Sequence, residues 1–263
     1  MNFRHIKVEQ TSPAVATVIF NRPAKANALH YEHLAEIEAA ALAFRDDAET
    51  RAVIFTGAGA HFSSGADLTD GGDAYRAPLV QRRRRMRIGE RCVSALMQMD
   101  QITIAAWNGA AMGGGACIAT ALDFRVGADD CFMQYPEIDI GINLMWLGLP
   151  LLVRLVGAAR AKRLVIGGER IQANTLLAWG VLDEQVPGKR LLKAAREMAD
   201  RYAAKPPIAA QMIKQSVNQI AGALDAAIMH MDVDQNLLAA SSNDRRTAIE
   251  AYLAKTTPTF TGN

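Results

Sequence analysis

Asn108-Gly109-Ala110-Ala111-Met112-Gly113-Gly114-Gly115-Ala116 is the stretch on which the fold turns. Ahead of it runs Thr103-Ile104-Ala105-Ala106-Trp107, an apolar, partly β-branched run of strand composition. Behind it, three glycines open a helix of small residues over 114–121, and Asp123-Phe124-Arg125-Val126-Gly127-Ala128 reads as the next strand. Strand, glycine corner, helix and strand make the repeating unit of an α/β protein. The first turn of a helix presents unpaired N–H groups and the positive end of the helix dipole, so this corner suits a negative charge or a developing oxyanion. A dinucleotide-binding loop is the competing reading. It is weakened because the glycines do not follow G-x-G-x-x-G and the unit lies in mid-chain.

Working outward, residues 3–9 and 14–20 predict two strands joined at Thr11-Ser12-Pro13, a hairpin. After Asn21-Arg22-Pro23, the helical spacing of Leu34, Ile37, Ala41 and Phe44 predicts a helix within 29–45, and 51–57 reads as a buried strand. A second corner follows in His61-Phe62-Ser63-Ser64-Gly65-Ala66-Asp67-Leu68. Glycine and small residues there let the backbone turn sharply and leave an amide free to face a ligand oxygen; a plain tight turn is the alternative. Residues 69–86, polar and strongly charged, predict a mobile surface loop leading into a helix, and Val93, Leu96 and Met97 mark another helix. From about residue 158 the pattern is mainly helical, broken at Gly167-Gly168, Gly180, Pro187-Gly188 and Pro206-Pro207. The predicted organisation is a core over 1–195 and a helical, oligomerising or lid-forming region over 196–263, without repeats or low-complexity segments.

Composition narrows the function. Lys and Arg number 29 against 27 Asp and Glu, a net charge of +2 that does not suggest a nucleic-acid binder. Cys92, Cys117 and Cys131 are odd in number and scattered, which fits a reducing cytoplasm better than a disulfide framework. No secretory leader is evident at the N-terminus, and the most apolar stretch, 138–157, is interrupted by Asp139, Asn143, Pro150 and Arg154, so no membrane span is expected.

Several segments taken together, HFSSGADL at 61–68, NGAAMGGGA at 108–116 with Asp123 following, YPEIDIGI at 135–142, RLVGAARAKRL at 154–164 and the C-terminal SSNDRRTAIEAYLAK, resemble the enoyl-CoA hydratase/isomerase (crotonase) family in order and spacing. The resemblance extends from Asn21 almost to Phe260. It implies a spiral of β-β-α units with C-terminal helices packed around neighbours, in a homotrimer or a dimer of trimers. It implies an acyl-CoA substrate, with coenzyme A entering only as part of that substrate and no separate cofactor. It further implies that the amides of Ala66 and Gly114 form an oxyanion hole, and that Lys25, Ala26, Ala66, Asp67 and Leu68 pass the CoA arm, with Asp67 a structural carboxylate. Two convergent donors stabilise an enolate far better than one, each contributing on the order of a hundredfold in rate.

Hydratases of the family use two glutamates. Only one is present here, Glu137 in Tyr135-Pro136-Glu137; the other position is Cys117. A buried thiol stays protonated and reads better as a small wall residue than as an acid/base. Glu137 facing an apolar pocket is expected to have a raised pKa and to shuttle protons near neutrality, although a structural role is also open. One acid/base suits double-bond isomerisation more readily than hydration. Thioester or C–C hydrolysis, or a catalytically weak acyl-CoA- or RNA-binding scaffold, are the alternatives. Asp139 reads as a solvated carboxylate. Met145 and Trp146 stand where the family has small residues, predicting a reshaped apolar pocket for a branched, cyclic or terpenoid acyl group, unless Trp146 is core packing. The run Arg82 to Arg87 reads as a solvated face, a contact for CoA phosphate or, least, an RNA contact. His5, His30, His33, His61 and His230 show no metal-ligand spacing and no metal is expected.

Overall fold

The computed structural model describes residues 3–69 and 77–263. Of the expected 69–86 loop, residues 70–76 lie outside these. Strands β1 (Ile6–Ser12) and β2 (Val15–Phe20) form the expected antiparallel hairpin, Ile6 opposite Phe20. Helix α1 (Tyr31–Ala43) buries Leu34, Ile37 and Ala41 at helical spacing and leads to β3 (Ala52–Gly57), buried along its whole length. Helices α2 (Leu79–Met86) and α3 (Ile88–Met97) precede β4 (Ile102–Trp107). The short strand β5 (Ala110–Met112), helix α4 (Gly114–Ala121) and β6 (Phe124–Ala128) realise the strand–corner–helix–strand reading.

Then come β7 (Phe132–Gln134), a 3-10 turn at Pro136–Ile140, α5 (Gly148–Gly167, bent at Gly157), β8 (Ile171–Gln172), α6 (Ala173–Ala178) and β9 (Glu184–Val186). Helices α7 (Leu191–Ala203), α8 (Pro207–Ala221), α9 (Ala226–Met229), α10 (Asp232–Ala240) and α11 (Asn243–Ala254) complete the chain.

The main sheet runs β1-β2-β3-β4-β6-β9, parallel after the hairpin; β5, β7 and β8 form a second, smaller sheet. The α/β class expected from the sequence is observed. The region after residue 158 is mainly helical, as expected; within it Ile171–Gln172 pairs with β7 and Glu184–Val186 adds the edge strand of the main sheet. Three half-buried edge residues are too short to carry a periodic signal.

The division drawn at 195/196 falls inside α7, whose Ala194, Ala195, Met198 and Ala199 are buried, the helix lying against β3, β4 and β6. Helix α8 is tied on by Lys214, whose buried Nζ donates to the Gln101 carbonyl at 2.6 Å and meets Asp123 at 2.8 Å. Asp123 in turn accepts from the amide and hydroxyl of Thr103. A buried cation is tolerated there because it has both a counter-charge and a hydrogen bond. Among the described residues, no helix is long and apolar enough to cross a membrane.

Candidate active site

The corner at residues 63–67 is strapped to the chain before α1. Leu29 donates to the Gly65 carbonyl at 2.8 Å and accepts from Asp67 at 3.0 Å, while Ser63 Oγ donates to the Asn27 carbonyl. This bridging pattern uses the atoms on either side of Ala66 and passes over its own amide. Asn27, fully buried in a left-handed conformation, donates from Nδ2 to the carbonyls of Ala58 and His61 and accepts from Arg22. Asn27 was not singled out in the sequence; its signal was a lone polar residue just after Asn21-Arg22-Pro23. Asp67 accepts from the amide and hydroxyl of Thr69 and pairs with Arg22 at 3.0 Å. Burial works against its ionisation, but those bonds outweigh it and hold the carboxyl below its usual range.

The second corner fits against the first, and each glycine of the triplet has its own steric reason. Gly113 adopts φ 46°, ψ −119°, and a Cβ there would lie 2.5 Å from Oε1 of Glu137. A Cβ on Gly114 would fall inside the indole of Trp146, and one on Gly115 would meet Ser63 at 2.7 Å. Gly65, at φ +88°, abuts both the Met112 carbonyl and the Gly114 nitrogen, the latter 3.5 Å from a built Cβ. The amides of Ala66 and Gly114 therefore belong to adjoining backbone corners. Among the described residues no protein acceptor takes either hydrogen, and that of Gly114 opens α4 with its dipole behind it.

Glu137 sits in the 3-10 turn directly after buried Tyr135, with Gly141 in the left-handed conformation closing the turn. Its Oε1 rests against Gly113; its Oε2 is buried and has no hydrogen-bond partner. Burial drives its pKa up to about 7, its own amide pulling the other way and Asp139 adding slightly. A carboxyl with a buried, unpartnered oxygen is costly to retain, which is the usual mark of a working acid/base. Asp139 shares the turn but is exposed, its pKa raised by partial burial.

Trp146 is buried with its indole wedged between two glycines: a Cβ on Gly89 of α3 would lie 2.1 Å from Cε2, and one on Gly114 lies 1.9 Å from Cζ3. Trp146 thus covers the side-chain face of Gly114, next to the free amide. Cys117 is fully buried, its thiol meeting the Met145 carbonyl at 3.5 Å and packing at Gly148. Burial pushes its pKa well above the ordinary thiol value.

A cavity of about 200 Å³ opens between Ala66, Asp67 and Leu68 on one side and Ile142, Met145 and Trp146 on the other. Lys25, exposed, and Ala26, whose carbonyl accepts from Ser64, stand at the back of the first corner and outside that lining. The arginine run divides its work. Arg83 makes a two-point pair with Asp234, Arg87 approaches Glu90, and Arg82 and Arg85 reach the cavity, Arg85 stacked 4.3 Å over Tyr31. Asn236 and Arg245 from the C-terminal helices also line it.

The histidines bring one surprise. His5 lies 3.4 Å from Glu32 and joins His30 in a cluster whose ligand-type atoms fall within 4.8 Å of one another. Their separation in the chain hid this. His30 Nδ1, however, accepts the His33 amide as the N-cap of α1, so the neutral ring carries its proton on Nε2 and neither nitrogen is open to a metal without breaking the cap.

The family model described as enoyl-CoA hydratase/isomerase matches residues 10–263. The chain is 30% identical to a short-chain-enoyl-CoA hydratase of Clostridium acetobutylicum over 92% of each. It is also 30% identical to a 1,2-epoxyphenylacetyl-CoA isomerase of Escherichia coli, over 94% of this chain and 95% of that one. A crystal structure of an enoyl-CoA hydratase from Mycobacterium avium subsp. paratuberculosis superposes with a TM-score of 0.87 at 25% identity, covering 99% of this chain and all of that one.

Proposed function

Since the chain belongs to the enoyl-CoA hydratase/isomerase family, we propose that it acts on an enoyl-CoA thioester through an enolate held by the amides of Ala66 and Gly114, with Glu137 as sole acid/base and isomerisation as the favoured reaction. The carrying observation is Glu137 itself, half-buried beside the glycine corner, its Oε2 buried without a hydrogen-bond partner and its pKa raised to about 7. A carboxyl of this kind takes a proton from the carbon next to the thioester carbonyl while charge moves onto the carbonyl oxygen. It returns the proton two carbons further along, and the double bond shifts without net gain or loss of atoms.

Hydration needs a second group to orient water. Cys117 does not serve, because it is turned away toward Met145 and too weak an acid when buried. The CoA arm would run past Lys25, Ala26, Asp67 and Leu68, with Arg82 and Arg85 at the cavity rim for its phosphates. Met145 and Trp146 would bound the acyl group, favouring a branched or cyclic one over a long straight chain. The exposed apolar side chains of α8, among them Ile208, Met212, Val217 and Ile220, support a homotrimer or a dimer of trimers. Buried, unpaired cysteines suit a cytoplasmic setting.

The test is turnover of a panel of 2-enoyl- and 3-enoyl-CoAs by the wild type and by Glu137→Gln. Loss of activity by about a hundredfold or more in the variant is expected. Unchanged turnover would remove Glu137 from the mechanism, and tight CoA binding without turnover would mark a scaffold.

A further inference from the structure

Trp146 and Leu147 both hold left-handed backbone at φ 60°, where residues with side chains are seldom found. What holds them is 85 residues away. Asp232, at the start of α10 and only 2% exposed, accepts the Leu147 amide on Oδ2 at 3.4 Å and also faces the Trp146 amide. Among the described residues no lysine or arginine pairs with Asp232, so its charge is directed at these two N–H groups. The same helix grips the other end of the segment: Asn236 donates to the Asn143 carbonyl at 3.2 Å, and Gln235 accepts from the Asn143 side chain at 3.3 Å.

The held segment carries the indole into its slot between Gly89 and Gly114. We propose that Asp232 is a positioning residue for the acyl site, fixing the left-handed Trp146–Leu147 turn so that the indole walls the pocket beside the Gly114 amide. Helix α10, in the region expected to serve assembly, is then part of the site. The word acyl rests on the proposed function; the mechanical link does not.

A carboxylate is the fitting residue because its charge strengthens acceptance from two adjacent amides. An isosteric amide still offers one oxygen with two lone pairs, but at the strength of a neutral group and with an NH2 in place of the second acceptor. Alanine supplies none and leaves both amides unpaired in a buried place.

The experiment compares Asp232→Asn and Asp232→Ala in the full chain. Acrylamide quenching of tryptophan fluorescence, with Trp146→Phe as the subtraction reference, reads the Trp146 contribution without any substrate. Quenching of that contribution is expected to rise clearly in Asp232→Ala and in the same direction, less, in Asp232→Asn. With the best substrate of the enoyl-CoA panel, KM is expected to rise about tenfold in Asp232→Ala with a smaller change in kcat. In a Trp146→Gly background, where glycine tolerates the left-handed turn and no indole remains, Asp232→Ala should change KM less than about twofold. Unchanged Trp146 quenching, or an equal KM effect in both backgrounds, overturns the proposal. If Asp232→Ala does not fold, the isosteric Asp232→Asn carries the same two readouts. If the wild type turns over no enoyl-CoA, the functional reading fails while quenching still decides the role of Asp232.

Discussion

Replacing Glu137 by Gln should move activity and stability in opposite directions, and the size of the second effect follows from the site. The carboxyl titrates near 4.5 when unfolded and at about 7 in the fold because burial disfavours its charge. Below pH 4.5 it is protonated in both states, and a neutral amide of the same shape changes little. Between 4.5 and 7 the unfolded chain releases the proton while the folded protein keeps it, so wild-type stability falls as pH rises, by about 1.4 kcal/mol per pH unit. Above pH 7 the deficit is complete, on the order of 3 kcal/mol. The amide escapes it.

The variant should therefore melt roughly 5–10 °C higher than wild type at pH 8 and almost equally at pH 4.5, while losing about a hundredfold or more in turnover. Differential scanning calorimetry at the two pH values, beside the enoyl-CoA assay, measures both. A melting difference independent of pH would refute the claim that Glu137 is a desolvated acid, and full activity in the variant would refute its role.

Gly113→Ala forces a side chain into a glycine-only conformation against Glu137 Oε1; displacing that carboxyl by about 1 Å should cost on the order of a hundredfold in kcat, visible in steady-state kinetics even where the fold survives. Gly89→Val should evict the indole from its slot, shifting acyl preference on the panel and raising Trp146 quenching; unaltered preference would argue against a pocket-shaping role. Asn27→Ala strips buried partners from Arg22, Ala58 and His61 and should destabilise by about 3 kcal/mol in urea unfolding. Cys92, Cys117 and Cys131 are all buried, with burial raising their pKa, so a thiol reagent at pH 8 should label the native protein only as fast as it opens.

Much of the architecture was legible because it is local. The opening hairpin, the apolar spacing in α1, the buried run of β3 and the glycine-opened helix α4 each express a period or a turn within a dozen residues. Glu137 was legible too, since its neighbours in YPEIDIGI carry the family pattern. Chemistry at the two glycine corners could be expected from the special backbone glycine permits, and that they adjoin from the family resemblance, not from any local period.

Other features depend on which distant surfaces meet, and no local period encodes that. The edge strand Glu184–Val186 exists because β6 offers it a partner. His5, His30 and Glu32 converge only because β1 pairs beside α1. Cys117 meets the Met145–Gly148 segment, 28 residues on at the first contact, only through the tertiary fold. The left-handed turn at Trp146 is the clearest case. Two bulky residues disfavour that conformation on their own, and they hold it because Asp232, Asn236 and Gln235 of a helix almost a hundred residues later supply hydrogen bonds that steric preference alone cannot overrule.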